Sequence, residues 1–597
     1  MTGEKDARVL QRLLTEDAVG QLRRRDGQMA TLGSENGALK LDWVEGVARL
    51  LEHPEHLAQV EAEATELWQR GVRHIIWAGM GGSVLTVRVM AQMGFCDGHN
   101  GERIAIYPLD STDPAALNAI VNRIAASKQI VLPASSPQQL RQLLSDVMMV
   151  GVAMGMTSEE PITHLTWFTE LIEQAGLSPA EHLLVMTLPD SYLDKFARAR
   201  NAPSRPLQLD GGNGTGGRMS APATRVFLLP AALFLTRATG SSGQLHSTLA
   251  LAWQHYQLDL AATNPAAHPF ARLAAALYNA SVNGACRMLV EFPQGWQALA
   301  SWIEQLMEES LGKGNKGIVV FKESPQLSQA SVFQTEGALH VYASTSEQPA
   351  QPPIFTLSQP YLASSRDQER LAALAASFLG WQLTMALYGY LHNITFSGQP
   401  AVEDYKTRAR AIRDMPDPLQ AARDWPDTCA AGGLTLFAPS GSAASGAATP
   451  AAVFAAALRQ AAQNRATQLG YLDLTINGEV PADLEQTITA HLYTIGHRLL
   501  GVPIKPRRAP ADYHSTEQGE MDGPPYLVSL RLLLRDHEEP LLGRYSDAFL
   551  RAQAVSTWQA MIGQNRACFL LIADGNADQA ARPLQNFFTE VEKNLKK

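Results

Sequence analysis

Residues 74–93 constrain this chain more than any other stretch. His74-Ile75-Ile76-Trp77-Ala78 is an apolar run of strand length, Gly79-Met80-Gly81-Gly82-Ser83 follows without a gap, and Val84–Met93 has the make-up of a helix. A strand, a glycine turn and a helix in direct succession form the opening unit of an open parallel sheet, so an α/β fold is expected from here on. Ile104–Leu109, Met148–Met154 and Leu183–Thr187 read as further strands and Ile130–Leu132 as a short one, with helices at Thr163–Glu173 and Ser191–Arg200. Upstream, residues 8–70 read as helical, with Val44, Val47, Leu50 and Leu51, then Leu57, Val60, Ala64 and Leu67 at helical spacing.

A second alternating series begins near residue 260. Phe270–Val282, Trp296–Met307 and Leu371–Leu391 read as helices, and Gly317–Phe321 and Leu339–Ala343 as strands. Residues 439–452, PSGSAASGAATPAA, are too small to build a core and read as a linker. Beyond them Val453–Arg465 reads as a helix, and Tyr471–Ile476, Tyr526–Leu534 and Phe569–Ala573 as strands. The expected organisation is a helical segment over 1–70, one domain over 71–255, a second over 256–437, and a linker with a C-terminal segment over 438–597 that completes the second domain.

Composition narrows the function. The 597 residues carry 49 Lys+Arg against 58 Asp+Glu, a net charge of −9, which argues against a nucleic-acid or anionic-membrane surface. An anionic small substrate depends on one local pocket and stays open. Cys96, Cys286, Cys429 and Cys568 lie too far apart for zinc spacing, so buried reduced thiols are expected, with no disulfide and no metal. Met1 to Arg25 has no apolar leader, and Met148–Met156 and Val226–Leu235 are too short to span a bilayer, so a cytoplasmic location is the default expectation.

Five segments have the residue types that chemistry needs. In the turn at 79–83, glycine backbone at a helix N-terminus suits an anion, with Ser83 as an added donor. The spacing is not that of a dinucleotide site, and any tight turn uses glycine. Gly216-Gly217-Arg218-Met219-Ser220 puts an arginine on backbone that can approach a ligand, where it would stabilise an oxyanion; a surface arginine is the plainer role. In Leu306–Lys313, Gly312 suits a helix cap, and Glu309 falls at the negative end of the helix dipole. That place disfavours a carboxylate and suits a general base, although a solvated charge cluster explains the same letters. Gln399 to Lys406 opens with Pro400 in a helix first turn. His514-Ser515-Thr516-Glu517-Gln518 holds one histidine of fifteen in a polar loop.

In this order the five segments resemble the phosphoglucose isomerase family. They are closest to the isomerase half of bifunctional transaldolase–phosphoglucose isomerase proteins, which carry a similar Leu-Asp-Ser-Thr-Asp-Pro segment, here Leu109 to Pro114. The resemblance implies two sugar-isomerase (SIS) domains, each a mostly parallel sheet flanked by helices. It implies glucose 6-phosphate and fructose 6-phosphate interconversion through a cis-enediolate, with no cofactor. Glu309 would move the proton, Arg218 would stabilise the enediolate, and His514 and Lys406 would assist ring opening. Gly82, Ser83, Thr157, Ser158 and Gln399 would line the sugar-phosphate site. The resemblance also allows a homodimer and a functional link to a transaldolase.

One departure bears on the substrate. Where the family has a Ser/Thr-rich phosphate loop, this chain has Met156-Thr157-Ser158-Glu159-Glu160-Pro161. A like-charge pair about 5 Å apart costs roughly 3 kcal/mol at an effective dielectric near 20. A phosphate beside both Glu159 and Glu160 therefore needs help. Lys128, Ser135 and Ser136, in an apparent insertion over 126–147, are candidate substitute donors, although the insertion reads more simply as ordinary strand and turn. Two other readings stay open: an inactive sugar-isomerase fold that binds a sugar or a partner, and an isomerase of another sugar.

Overall fold

The computed structural model describes residues 2–133, 136–235, 243–258, 261, 264–322, 337–345, 354–441, 449–464, 469–512 and 516–597. An N-terminal helical segment contains a small hairpin, β1 Ser34–Glu35 with β2 Ala38–Leu39, inside the region expected to be all helical. The first parallel sheet follows: β3 His74–Ala78, β4 Ala105–Leu109, β5 Val147–Ala153, β6 Leu183–Thr187 and β7 Ser204–Arg205. Its order is β4-β3-β5-β6-β7, so the chain reverses direction across the sheet between β3 and β5. β5 and β6 are buried from end to end, which is why they read as unbroken apolar runs rather than alternating ones. Three helices of this unit matter below: α1 Gly82–Gln92, α2 Pro114–Ser127 and α3 Glu160–Gln174.

The second sheet contains β8 Arg287–Glu291, β9 Val319–Lys322, β10 Ala338–Ser344 and β11 Ile354–Ser358, all parallel, in the order β11-β10-β8-β9. Its helices include α4 Leu299–Leu311, the crossover from β8 to β9, then α5 Asp367–His392 and α6 Pro400–Arg413. By length and composition α5 could cross a membrane, but its apolar stretch is wholly buried. It is the central rod of one core that runs from Val9 in the N-terminal segment, through the first sheet, to Phe396.

Residues 428–573 depart from expectation. β12 Thr428–Ala431, β13 Leu434–Phe437, β14 Tyr471–Asn477, β15 Ile504–Ala509, β16 Leu527–Leu534 and β17 Ala567–Ala573 pair only with one another, in the order β12-β13-β17-β16-β14-β15. The C-terminal segment therefore builds a third sheet instead of extending the second. The third sheet begins at β12, ten residues before the expected boundary at 438. One of its faces does share a core with the second sheet, where Leu289, Val319 and Phe321 join Leu533, Trp558 and Leu570; the other face has its own core.

Two smaller expectations also change. Ile130–Leu132 forms no strand, and the apparent insertion folds as a helix, Pro137–Leu144, with Ser136 as its N-cap. Lys128 is ion-paired with Asp146, so neither supplies the cleft; Ser135 lies outside the described residues. Cys96 and Cys568 are buried as expected, whereas Cys286 and Cys429 are partly exposed.

The third unit is locked to the first by polar contacts. Asp113, the N-cap of α2, receives the backbone N–H of Ala115 (2.9 Å) and that of Glu479 (2.7 Å), and its carboxylate lies 3.3 Å from His537 Nδ1. Glu479 follows β14 and His537 follows β16, so Asp113 sits between the ends of two adjacent strands of the third sheet. Nearby, Trp167 Nε1 donates to the Leu542 carbonyl (2.8 Å), and Arg88 pairs with Asp110 (2.9 Å) and with Asp512.

Candidate functional site

In an open parallel sheet, ligands bind beyond the carboxyl ends of the strands where the strand order reverses. In the first sheet that place lies after β3 and β5, and a cleft of about 510 Å³ opens there. Gly81, Gly82 and Ser83 line it from the turn after β3, and Met154 to Ser158 from the turn after β5. Trp77 Nε1 donates to the Ser83 carbonyl (2.9 Å), anchoring the first turn of α1 to the strand before it. A Cβ at Gly82 would overlap the Gly217 carbonyl, so glycine is required there by close approach of the two segments.

That approach brings the 216–220 segment into the cleft. Arg218 is buried and held on every side. Nε donates to Ser310 Oγ (2.6 Å), Nη1 to Glu309 Oε1 (3.0 Å), and Nη2 to the carbonyls of Phe396 (2.7 Å) and Gly398 (3.1 Å). Glu309, in the last turn of α4, is also buried, and its other oxygen accepts from Gln305 Nε2 (2.9 Å), one turn earlier. The polar letters at 308–310 are therefore no solvated cluster. Gly312 follows the helix with φ −74°, so it is not a left-handed cap; a Cβ would collide with the backbone of Gly519. Lys313 donates to the carbonyls of Thr395 (2.6 Å) and Ser397 (2.9 Å). Burial, with the charge of Arg218, lowers its pKa to about 7.

The expected site residues converge. Arg218, Glu309, Lys406, Gly82, Ser83, Thr157, Ser158 and Gln399 all line this one cleft. His514 lies outside the described residues. Its neighbour Gln518 ties the site together from behind, donating to the Gly312 carbonyl (3.0 Å) and accepting from Ala401 N–H (3.0 Å). That contact joins the end of α4 to the start of α6.

Several lining residues went unread in the sequence. Glu35, Asn36 and Lys40 come from the β1–β2 hairpin, and Gln305 from α4. Gln305 was findable, because it stands four residues before Glu309 and so shares its helix face. The hairpin gave no signal, since two-residue strands have no periodicity.

The acidic pair after β5 divides. Glu160 opens α3, is buried and lines the cleft, with its Oε2 accepting from Glu159 N–H (3.2 Å). Glu159 is paired with two arginines of α6, with Arg410 Nε at 3.1 Å and Arg413 Nη1 at 3.3 Å from its Oε2.

No family model matches the chain. Among curated proteins it is 25% identical over 389 residues to the glucose-6-phosphate isomerase of Parasynechococcus marenigrum, a match covering 58% of this chain and 64% of that one. It is 24% identical over 268 residues to a probable glucose-6-phosphate isomerase of Haloquadratum walsbyi, covering 44% of this chain and 52% of that one. The chain thus spans between half and two thirds of the length of these relatives. Among solved structures, a hypothetical protein from Thermus thermophilus aligns with a TM-score of 0.50 at 19% identity, over 68% of this chain and 97% of that one. The fold is α/β, built on mostly parallel sheets flanked by helices, with the cleft at the crossover point of the first sheet. Both curated relatives that the chain is similar to bear the name glucose-6-phosphate isomerase, one of them as a probable one.

Proposed function

We propose that this chain is an aldose–ketose isomerase of hexose phosphates, interconverting glucose 6-phosphate and fructose 6-phosphate. The observation that carries this reading is the buried Glu309–Arg218 pair, 3.0 Å apart, on the wall of the cleft. The isomerisation needs one base and one fixed cation. Glu309 removes the C2 proton of the open-chain aldose. The electron pair left behind forms the C1–C2 double bond, and the C1 carbonyl oxygen becomes an enediolate oxygen. The same carboxyl then returns a proton to C1, while a proton passes from the C2 hydroxyl to the C1 oxygen. Arg218, held by four contacts, does not have to move as negative charge develops beside it, which is the condition for strong electrostatic stabilisation. Lys406, with the hydroxyls of Ser83, Thr157 and Ser158, supplies donors for the sugar and its phosphate.

The test is a coupled assay of fructose 6-phosphate conversion, with Glu309→Gln as reference. The expected kcat of the variant is about 10²–10⁴-fold lower than wild type, the usual contribution of a positioned base. Turnover no higher than the variant's refutes the reading. The carboxylates of Glu35 and Glu160 in the same cleft favour a second reading, an isomerase of an uncharged sugar. Under it the same assay run with fructose gives the higher kcat/KM.

A further inference from the structure

From sequence, Glu159 stands where a phosphate would be repelled, yet the structure aims its carboxylate at α6 and pairs it with both Arg410 and Arg413. Arg410 also donates from Nη2 to the Thr157 carbonyl (3.3 Å), so one guanidinium grips the turn after β5 at two points. The cleft depends on that grip. Thr157 and Ser158 belong to the turn, Lys406 belongs to α6 one turn before Arg410, and all three line the cleft. The turn and the helix are about 250 residues apart in sequence, so their spacing is set by side-chain contacts and not by chain connection.

We propose that Glu159 is a positioning residue: its ion pairs with Arg410 and Arg413 hold Lys406 against the Thr157–Ser158 turn, and the carboxylate thereby strengthens anion binding instead of weakening it. Two consequences follow from the charges. The two arginines neutralise Glu159 locally, so it presents little repulsion to a phosphate. Removing its charge frees the turn from α6 and widens the gap between the hydroxyl donors and the lysine. The sign of the effect therefore separates this role from simple repulsion. The inference rests on the hexose-phosphate reading for its substrate, but its test does not require turnover.

The probe is inorganic phosphate, titrated calorimetrically into the full chain and into Glu159→Gln, Glu159→Asp, Arg410→Met and the Glu159→Gln/Arg410→Met double variant. A tether predicts that Glu159→Gln binds phosphate about three- to tenfold more weakly, that Glu159→Asp recovers part of the loss, and that the double variant loses less than the two single losses combined, since both act through one contact. In the coupled assay KM for fructose 6-phosphate rises by a similar factor, with a smaller change in kcat, a split that general loss of structure would not produce. Phosphate binding by Glu159→Gln equal to or tighter than wild type overturns the tether, whatever the turnover. A wild-type chain that binds phosphate more tightly than Glu159→Gln but converts no fructose 6-phosphate leaves the tether standing and removes the isomerase reading. A wild-type chain that binds no phosphate overturns the tether, and the coupled assay alone then decides the isomerase reading.

Discussion

Lys313 stands one turn past Glu309, and its ammonium is close enough to Arg218 to feel its charge. In the unfolded chain a lysine stays protonated to about pH 10. In the folded chain, burial and Arg218 bring this one down to about 7. Between those values the unfolded state binds more protons than the folded one. The contribution of Lys313 to stability therefore rises with pH above 7, and below 7 its charge is carried at a cost to folding. Lys313→Met removes that cost at every pH. Urea unfolding should show the variant gaining on wild type most near pH 6, with the gap closing toward pH 9; a gap that does not change with pH counts against the lowered value.

One helix, α4, carries two kinds of carboxylate. Gln305 and Glu309 face Arg218 and the cleft. Glu304 and Glu308, one residue earlier in each turn, face Lys505 of β15, with Nζ 2.8 Å from Glu304 Oε1 and a second ion pair to Glu308. All three ionised groups are almost fully buried. Burial raises the Glu308 carboxyl, with repulsion from Glu304 adding to it. At Glu304 burial is overcome by Lys322, Lys505 and Arg507, which hold the group down to about 2. Lys505→Met should therefore destabilise the chain by about 3–5 kcal/mol, because it takes the ion-pair partner from buried Glu308 and leaves Glu304 with Lys322 alone of its two lysines. Chemical denaturation measures this, and a change under 1 kcal/mol would mean that Glu308 loses little without the lysine. The same helix marks how far sequence reading reaches. Its apolar face and Glu309 were legible, since Trp296, Leu299, Ile303 and Leu306 give the period and the segment around 309 is distinctive. The burial of Glu304 and Glu308 was not, because Lys505 lies about 200 residues away, and charged letters look alike whether solvated or paired. Strands β8, β11 and β15 were missed for a related reason. Each is a short run with charged or mixed residues, such as Arg287 at the start of β8 and Lys505 and Arg507 in β15, whose charges are met by partners distant in sequence or on a neighbouring strand.

At the scale of the molecule, the parallel strands of all three sheets begin with the same spatial order, second-first-third-fourth. The first sheet leaves its crossover point open as the cleft. The third fills the corresponding point with Asp113. Burial works against that carboxylate, but His537 and the N–H groups of Glu479 and Ala115 outweigh it and hold its pKa below the usual aspartate value. A depressed carboxylate stabilises the fold above its ordinary pKa and loses that contribution as pH falls through the folded value. The stability gap between wild type and Asp113→Asn should therefore be widest near neutrality and shrink below about pH 4. Hydrogen exchange would then report opening first at Glu479 and the 535–542 segment; a gap that persists to pH 2 would show that the charge of Asp113 does not hold the units together.

Asp113 thus plays toward the third sheet the part that a small carboxylate ligand plays toward an open one. Because host and guest belong to one chain, docking is an intramolecular event, governed by an effective concentration in place of a free one. A single carboxylate, a histidine and two amides would be a poor complex between separate proteins. Joined by covalent chain they need only outlast the entropy of closing a loop, and that cost grows slowly with loop length.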